Sequence, residues 1–236
     1  MTKIFNLHNT MAMDRVTGEK LLMDNNGNLF VDSADVAPEA MDKYRVLNPF
    51  NYHAEPIYPV PKMKDTYSHS IESIWQGLKI IENKTDVSLF NKKPCKRPNM
   101  LEREKIDFCY EGTKFLYGNQ IINHLEARFL IYCPIYLYNL EKICSIELIN
   151  TIGQAMNQKQ IIVFYDWDDN FHIENLSSPF SHSAILAAWF NGSLEKIILH
   201  KAKACLAPSL YEEFSTVYSQ NTKRYTKFHN RGRCLE

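Results

Sequence analysis

Three polar residues of one short segment have types and spacing suited to chemistry. In SIESIWQGLK, Glu72, Gln76 and Lys79 recur at helical intervals and therefore share one helix face. A carboxylate there can act as a general base, an amide can position a ligand, and an ammonium can hold an anion. Trp75 beside Gly77 offers a flat stacking surface next to backbone that a ligand can approach closely. The alternative is a solvated face opposite an apolar stripe.

A second group of residues is suited to binding an anionic ligand. Arg128 and Tyr132 stand four residues apart in EARFLIYCPIY and share a helix face. A guanidinium binds phosphate or carboxylate bidentately, although a buried arginine satisfied by a neighbouring carboxylate is an equally open interpretation. Arg97, within the polar and basic stretch 83–104, is a second candidate for holding a diphosphate, or it is simply solvated.

Acidic residues follow a run typical of a buried strand, QIIVFY over 160–165. Asp166, Asp168 and Asn170 come directly after it, where carboxylates can activate water or stabilise a cationic transition state, or can simply cap turns. His182, in SSPFSHSA, stands at the start of a predicted helix, where the helix dipole favours a neutral imidazole; a purely structural histidine is the alternative. No HExxH, GxSxG, GxxxxGK[ST] or GxGxxG motif is present.

Composition narrows the class of protein. The 236 residues contain 27 Lys and Arg against 27 Asp and Glu, so the formal net charge of zero gives no general drive towards nucleic acid or anionic lipid. The six cysteines form no CxxC pair and no zinc spacing, which favours a reducing compartment. No apolar run is long enough to span a bilayer, and the start of the chain does not look like a secretory signal. We expect a cytoplasmic protein with no membrane partner, no direct nucleic-acid binding, and neither cofactor nor metal.

The elements that must position these residues are predicted from periodicity. Apolar residues recur with helical spacing and predict a helix over 70–81 with a serine at its N-terminus. A second helical pattern over 119–148 is expected to be kinked or ended at Pro134. A third helix is predicted to follow a serine cap and to stop at Asn191–Gly192. The proline- and aromatic-rich stretch 44–63 is predicted to be ordered but irregular.

The predicted organisation is one globular core domain over 41–200. A peripheral N-terminal segment, 1–40, precedes it, and a C-terminal extension with a loose basic tail, 201–236, follows. The predicted fold is an α-rich α+β fold in which helices surround a small β-sheet. A groove between the 70–81 helix, the kinked helix and the end of the strand over 160–165 would then hold the candidate residues.

Two family resemblances cover these motifs. The Glu-x-x-x-Gln-x-x-Lys pattern of SIESIWQGLK, with an aromatic residue just before the glutamine, resembles the signature helix of the NADAR (YbiA-like) family. Upstream, Asn48-Pro49-Phe50 resembles the Asn-Phe element of that family. A longer stretch, residues 44–192, resembles an uncharacterised bacterial family. In order and spacing, SIESIWQGLK, EARFLIYCPIY and SPFSHSA of this chain correspond to the motifs SVEGVWQGLK, ARRLIYLPxY and PLSHA of that family. This second resemblance implies kinship without an activity.

The NADAR resemblance implies a NADAR/YbiA-like fold and an N-glycosidase acting on an ADP-ribose-like or nucleotide N-glycoside, with a small-molecule nucleotide or ADP-ribosylated substrate as partner. Candidate catalytic residues are Glu72 or Asp166 as base and stabiliser, and His182 or solvent as proton donor to the departing base. Candidate substrate-binding residues are Asn48, Trp75, Gln76, Lys79, Arg97, Arg128, Tyr132, Asp168 and Asn170. The alternatives are a non-catalytic module that senses a nucleotide or ADP-ribose, and a structural protein whose motif helix belongs to the core.

Overall fold

A computed structural model describes residues 4–24, 27–34, 39–98 and 109–231, and shows a mixed α/β protein, about half helical, with small sheets. The strands are β1 Ile4–Leu7, β2 Thr10–Asp14, β3 Leu29–Asp32, β4 Tyr58–Pro59, β5 Tyr67–Ser68, β6 Lys79–Ile80, β7 Lys114–Tyr117, β8 Gln120–Asn123 and β9 Ile162–Asp166. The α-helices are α1 Arg15–Met23, α2 Ile71–Leu78, α3 His124–Ala127, α4 Cys133–Tyr138, α5 Ile146–Asn157, α6 His182–Asn191, α7 His200–Cys205, α8 Pro208–Gln220 and α9 Lys223–Arg231. Shorter helical segments are the 3-10 turns Glu39–Leu47, Val87–Asn91 and Tyr110–Gly112 and the π-helical segments Arg128–Tyr132, Asn139–Ile143 and Glu195–Leu199. Among the described helices, none combines the length and apolar character needed to cross a membrane.

The main sheet has the strand order β1-β2-β9-β3, and β9 pairs in parallel with both of its neighbours. Side chains alternate along β9, so Ile162 and Phe164 join the large core that contains α6, while Val163 and Tyr165 pack on the other face against α1. Both faces are therefore covered, and the strand is buried along its whole length. It delivers Asp166 to the carboxyl edge of the parallel strands, where ligand sites of such sheets lie.

The prediction that residues 1–40 are peripheral is wrong for the part of that segment that the structure describes. The segment supplies β1, β2 and β3, and Ala12 and Val31 are completely buried in the core. Thr10 Oγ1 also donates a hydrogen bond of 2.9 Å to the Ala187 carbonyl in α6. These strands are too short to show a clear alternation of apolar and polar residues. Their partner β9 also lies far along the chain, so nothing in the sequence near them indicates that they pair with it.

The predicted loose tail is also wrong as far as Arg231. Lys223–Arg231 is helix α9, and the ring of Phe228 lies 5.2 Å from that of the buried Trp189. Arg224 Nη1 donates to the Cys144 carbonyl at 2.6 Å. This basic segment is therefore a helix whose apolar face packs on the rest of the domain.

The helix predicted to be kinked or ended at Pro134 is not ended there, because helical segments follow one another over 124–143. The π-helical segment Arg128–Tyr132 lies directly before α4 and accommodates a proline near the start of that helix. The run begins at His124 rather than at 119, because Gln120–Asn123 forms β8. It stops at Ile143, where a short turn leads into α5.

Helix α2 begins where the sequence predicts and ends at Leu78, before the predicted end at residue 81. Ser70 Oγ accepts the backbone N–H of Ser73 at 3.1 Å and caps the helix, which ends at Leu78 because Lys79 is extended and starts β6. A Cβ added at Gly77 would lie 2.5 Å from a carbon of the Phe90 ring. This aromatic ring, rather than a ligand, occupies the close-approach surface beside the glycine.

Helix α6 agrees with its prediction at both ends. Ser181 Oγ accepts the backbone N–H of Ser183 at 3.2 Å, and the helix ends at Asn191 with Gly192 at φ 76°. Glycine adopts this left-handed conformation without the strain that a Cβ would cause.

Candidate active site

All of the predicted site residues except Asn170 line one cavity of about 480 Å³. The cavity lies beyond the carboxyl edge of the main sheet, between α2, the 124–143 helix and the loop that follows β9. This is the groove that the sequence predicts. A volume of this size suits a small organic ligand.

Glu72 is the carboxylate held most tightly beside this cavity. Its Oε1 accepts a hydrogen bond of 2.7 Å from Gln76 Nε2, and its backbone N–H donates to the Pro49 carbonyl at 3.0 Å. Oε2 makes no hydrogen bond with another described residue. Burial raises the pKa of Glu72 to about 7, with a further upward contribution from Asp168, while the Gln76 hydrogen bond and nearby lysines act against the rise. The group can therefore gain or lose a proton near neutral pH. Since Glu72 and Gln76 are each only 6% exposed, the solvated-face interpretation is wrong.

Gln76, Lys79 and Arg97 form an interlocked group at the end of α2. The Arg97 backbone N–H donates to Gln76 Oε1 at 2.9 Å, and Arg97 Nη1 donates to the Gln76 carbonyl at 2.7 Å. Lys79 Nζ in turn donates to the Arg97 carbonyl at 3.1 Å. Both cations therefore hold the chain around Arg97 against the helix end, where unpaired carbonyls need donors.

Arg128 fixes the loop after β9 and pairs with no described carboxylate. Its guanidinium donates three hydrogen bonds to backbone carbonyls, from Nη1 to Ile173 at 2.8 Å and Asn175 at 2.6 Å, and from Nη2 to Ser178 at 2.8 Å. Burial lowers the pKa of Arg128 to about 10, so it remains a cation. Asn170, predicted to bind substrate, lies outside the cavity lining and donates from Nδ2 to the carbonyls of the same Asn175 and Ser178.

Asp166 is surrounded by donors from the protein itself. Oδ1 accepts the Asp168 backbone N–H at 2.6 Å, and Oδ2 accepts the hydroxyls of Ser181 at 2.7 Å and Ser183 at 2.8 Å. His182 Nδ1 lies 3.1 Å from the same Oδ2. Oδ2 thus joins β9 to the start of α6 and Oδ1 holds the turn after β9, which leaves Asp166 poorly placed to act as the catalytic base.

His182 is engaged at both ring nitrogens. Nε2 lies 2.8 Å from the Ser33 carbonyl, which can only accept, so Nε2 carries a proton. Nδ1 faces Asp166 Oδ2, as described. Neither nitrogen is left to protonate a departing base, so the structure gives this histidine a role in orienting the strand ends.

Asp168 is the second carboxylate with an unsatisfied side chain. The half-buried group lines the cavity and makes no side-chain hydrogen bond with another described residue. Burial and the neighbouring Asp166 raise the pKa of Asp168, while Lys96 and His182 oppose the rise. Glu72 and Asp168 are therefore two cavity carboxyl groups whose pKa values are raised by burial.

Aromatic rings form one wall of the cavity. The Trp75 ring centroid lies 4.2 Å from Phe115, 5.3 Å from His124 and 5.5 Å from Tyr132, so the indole is embedded in a cluster. Burial lowers the pKa of His124 to about 2, which keeps its ring neutral. Burial, followed by Glu72 and other carboxylates, raises the pKa of Tyr132 well above its usual range, so its phenol remains a hydrogen-bond donor.

Asn48 shapes the turn that closes the cavity. Its Oδ1 accepts the Phe50 backbone N–H at 2.8 Å, and Phe50 lines the cavity. Tyr136 in the 124–143 helix anchors this turn by donating from its hydroxyl to the Leu47 carbonyl at 2.6 Å. The irregular proline-rich stretch is therefore ordered, as predicted, and it is ordered by buried hydrogen bonds.

Some residues that line the cavity are not among the candidates identified from the sequence. They are Lys96, Tyr110, Trp167 and Phe180. Trp167 had a usable signal, because it stands between two acids directly after a buried strand. Lys96 had none, since nothing in KKPCKRPN ranks it above its neighbours. Within the described ranges, no group of three His, Cys, Asp or Glu side chains is arranged to hold a metal ion.

Comparison with known proteins adds a family and no activity. A family model described as "Family of unknown function (DUF6939)" matches residues 17–186, a span that includes α2, the 124–143 helix, β9 and the start of α6. No curated protein and no solved structure matches the chain. The matched span covers well over half of the sequence and the whole cavity lining, and on this basis the chain belongs to the DUF6939 family of unknown function.

Proposed function

We propose that this protein is an N-glycosidase that hydrolyses an ADP-ribose-like or nucleotide N-glycoside. The observation that carries the proposal is the state of Glu72. It is a buried carboxyl group with one oxygen fixed by Gln76, the other without a described partner, and a pKa of about 7. The resemblance of its helix to the NADAR signature supports the same activity, and a NADAR-like arrangement of helices around small sheets is part of the proposal.

The proposed reaction uses the two open carboxyl groups in different ways. Water attacks C1′ of the ribose while ionised Glu72 accepts one of its protons. The electron pair of the C1′–N bond leaves with the base, which takes a proton from solvent at the cavity mouth. Asp168 stabilises the positive charge that develops on the ribose ring. Asp166 and His182 hold the strand end and α6 in position and do not exchange protons with the substrate.

Lys96 is the proposed contact for a phosphate. Lys79, Arg97 and Arg128 already donate to backbone carbonyls of the protein. Lys96 is exposed at the cavity rim, and its ammonium makes no hydrogen bond with another described residue. A substrate bound in this way places its sugar inside the cavity and its phosphate at the entrance.

The test is release of the base from candidate substrates. The protein is incubated with ADP-ribosylated guanosine, NAD and a phosphoribosyl-aminopyrimidine, and free base is measured by chromatography. Wild type and the control Glu55→Gln, which changes an exposed carboxylate outside the cavity lining, are expected to release base, and Glu72→Gln is expected to lose the activity. Equal rates for wild type and Glu72→Gln, or no release by wild type from any of these compounds, would reject the hydrolase.

A nucleotide or ADP-ribose sensor is the second candidate. It is favoured by one observation, namely that two of the three residues predicted to be catalytic, Asp166 and His182, are occupied by contacts within the protein. A sensor keeps the cavity and needs no proton transfer. Thermal stabilisation by ADP-ribose or NAD without any release of base would support it.

A further inference from the structure

Trp167 is exposed in a way that the fold itself does not require. It directly follows β9, lines the cavity and is 62% exposed to solvent. The other two tryptophans differ, because Trp189 is completely buried and Trp75 packs within the aromatic cluster. A large aromatic residue left open at the edge of a cavity is typical of a surface that binds a ligand.

The indole is held in place from one side. The Arg15 guanidinium carbon lies 4.8 Å from the Trp167 ring centroid. Arg15 is itself fixed, with Nη2 3.0 Å from Asp32 Oδ2 and Nε 2.7 Å from Glu19 Oε1. A cation stacked on one face of an indole and anchored by two carboxylates limits the motion of the ring. Trp167 is therefore a pre-oriented flat surface with a large part of its area accessible.

We propose that Trp167 is the stacking platform for the planar heteroaromatic ring of the ligand at the cavity mouth. The proposal rests on the proposed function and deepens it, because it assigns the base of the N-glycoside to a defined surface. With the base on Trp167, the attached sugar reaches into the cavity towards the neighbouring Asp168 and Glu72.

The charges around the platform define the chemical class of this ring. One face of the indole carries the Arg15 cation, and Asp168, the next residue along the chain, lines the cavity with a carboxylate that makes no hydrogen bond with another described residue. Carboxylates accept hydrogen bonds and repel anions, so they favour a ring that carries N–H donors or a positive charge. Purine and nicotinamide-type bases belong to this class.

Trp75, the stacking residue expected from the sequence, is less suited to this role. Its ring contacts Phe115, His124 and Tyr132, so much of its surface already faces protein. It remains part of the cavity wall. Replacing Trp75 is therefore expected to lower the stability of the protein, because it disturbs the core cluster. Replacing Trp167 is expected to weaken ligand binding, because it removes mainly ligand contact.

The experiment measures binding by calorimetry with AMP, GMP and NAD as ring-bearing probes and ribose 5-phosphate as a probe without a ring. Trp167→Ala is expected to weaken binding of the ring-bearing probes about 5- to 150-fold, the range for stacking of a base on an aromatic side chain. Binding of ribose 5-phosphate is expected to stay within about twofold, because it makes no stacking contact. Ile121→Ala, which removes another exposed apolar side chain away from the cavity, is the matched control and should bind all probes like wild type.

Trp167→Phe provides an independent readout. The phenyl ring keeps a stacking surface, so calorimetric affinity for AMP is expected to be largely retained. The quenching of tryptophan fluorescence that AMP causes in wild type is expected to fall strongly, since the emitting platform is gone and only Trp75 remains in the cavity wall. Quenching as strong as in wild type would show that it arises from Trp75, which lines the same cavity, and would overturn the assignment to Trp167.

The inference and the proposed function fail in different ways. Wild-type affinity of Trp167→Ala for the ring-bearing probes, or no binding of any of them to the wild-type protein at millimolar concentration, overturns the platform whatever the base-release assay shows. Trp167-dependent binding without release of base by wild type supports the platform and rejects the hydrolase. Release of base that Trp167→Ala leaves unchanged in both kcat and KM supports the hydrolase and overturns the platform.

Discussion

Gln76 donates from Nε2 to Glu72 Oε1 at 2.7 Å while its own Oε1 accepts the Arg97 backbone N–H at 2.9 Å. One amide thereby links the carboxyl group at the start of α2 to a segment distant in sequence. Its orientation is fixed from both sides, because each atom of the amide has a partner of the opposite kind. Glu72 is left with one oxygen fixed and one oxygen without a described partner, which is the arrangement expected of a positioned proton acceptor.

The pH dependence of activity follows from the pKa of Glu72. Burial raises that pKa to about 7, and the proposed base must be ionised. The kcat/KM for base release is therefore expected to rise with pH and to level off above about pH 7. Glu72→Gln should lower the plateau by about 10²- to 10⁴-fold, the usual contribution of a general base. A profile that stays flat across this range on a substrate the wild type cleaves would contradict the assignment.

The same carboxyl group makes stability depend on pH in the opposite direction. The pKa of Glu72 is 4.5 as the reference value and about 7 in the folded protein, so the folded state binds the extra proton between these values. Stability is lost as the pH rises through this window, by about 3 kcal/mol in total. Urea unfolding on the acidic and the alkaline side of this window should show the loss in wild type and a smaller one in Glu72→Gln. Equal losses in both proteins would show that Glu72 does not carry the effect.

Asp166 is expected to contribute mainly to the stability of the protein, and Asp168 mainly to its activity. Asp166→Asn leaves one oxygen for several donors and should lower the free energy of unfolding by about 3 kcal/mol. Asp168→Asn removes a carboxylate whose charged form burial disfavours. The free energy of unfolding should therefore stay unchanged or rise slightly, while the rate of base release falls. Urea unfolding and the base-release assay on both variants check this. A destabilised Asp168→Asn beside a fully stable Asp166→Asn would reverse the roles of the two carboxylates.

Arg128 is expected to hold a loop and not a phosphate. Arg128→Met removes three hydrogen bonds to the 173–178 loop and leaves the Asn175 and Ser178 carbonyls with the Asn170 amide alone, so the free energy of unfolding should fall by about 3 kcal/mol. Hydrogen exchange of the 173–178 amides should accelerate, whereas Lys84→Met, at an exposed cation, should leave it unchanged. Unaltered exchange combined with a selective loss of affinity for phosphorylated ligands would instead support the phosphate-binding role.

Local elements of the fold are predictable where the sequence carries a local signal. The predicted serine caps are found at Ser70 and Ser181, the glycine stop at Gly192 agrees with the structure, and the buried strand predicted over 160–165 lies at Ile162–Asp166. Of the two outcomes predicted at Pro134, a kink or a helix end, the helix end is wrong, because a π-helical segment accommodates the proline without ending the helix. Whether a proline breaks a helix depends on packing around it, and local sequence does not contain that information.

The sequence by itself identified most of the residues that share the candidate site, but it included Asn170, which lies outside the cavity lining, and did not single out Lys96 or Trp167. Glu72, Gln76, Arg128, Tyr132 and Asp168 are identified by type and spacing, and the cavity gathers them. The roles of individual residues were decided by the tertiary structure. Whether a carboxylate is saturated or open depends on donors that arrive from distant segments, as the hydroxyls of the α6 turn do for Asp166 and as no described side chain does for Asp168. Burial, which raises the pKa of Glu72, likewise exists only once α2 is enclosed by the rest of the chain.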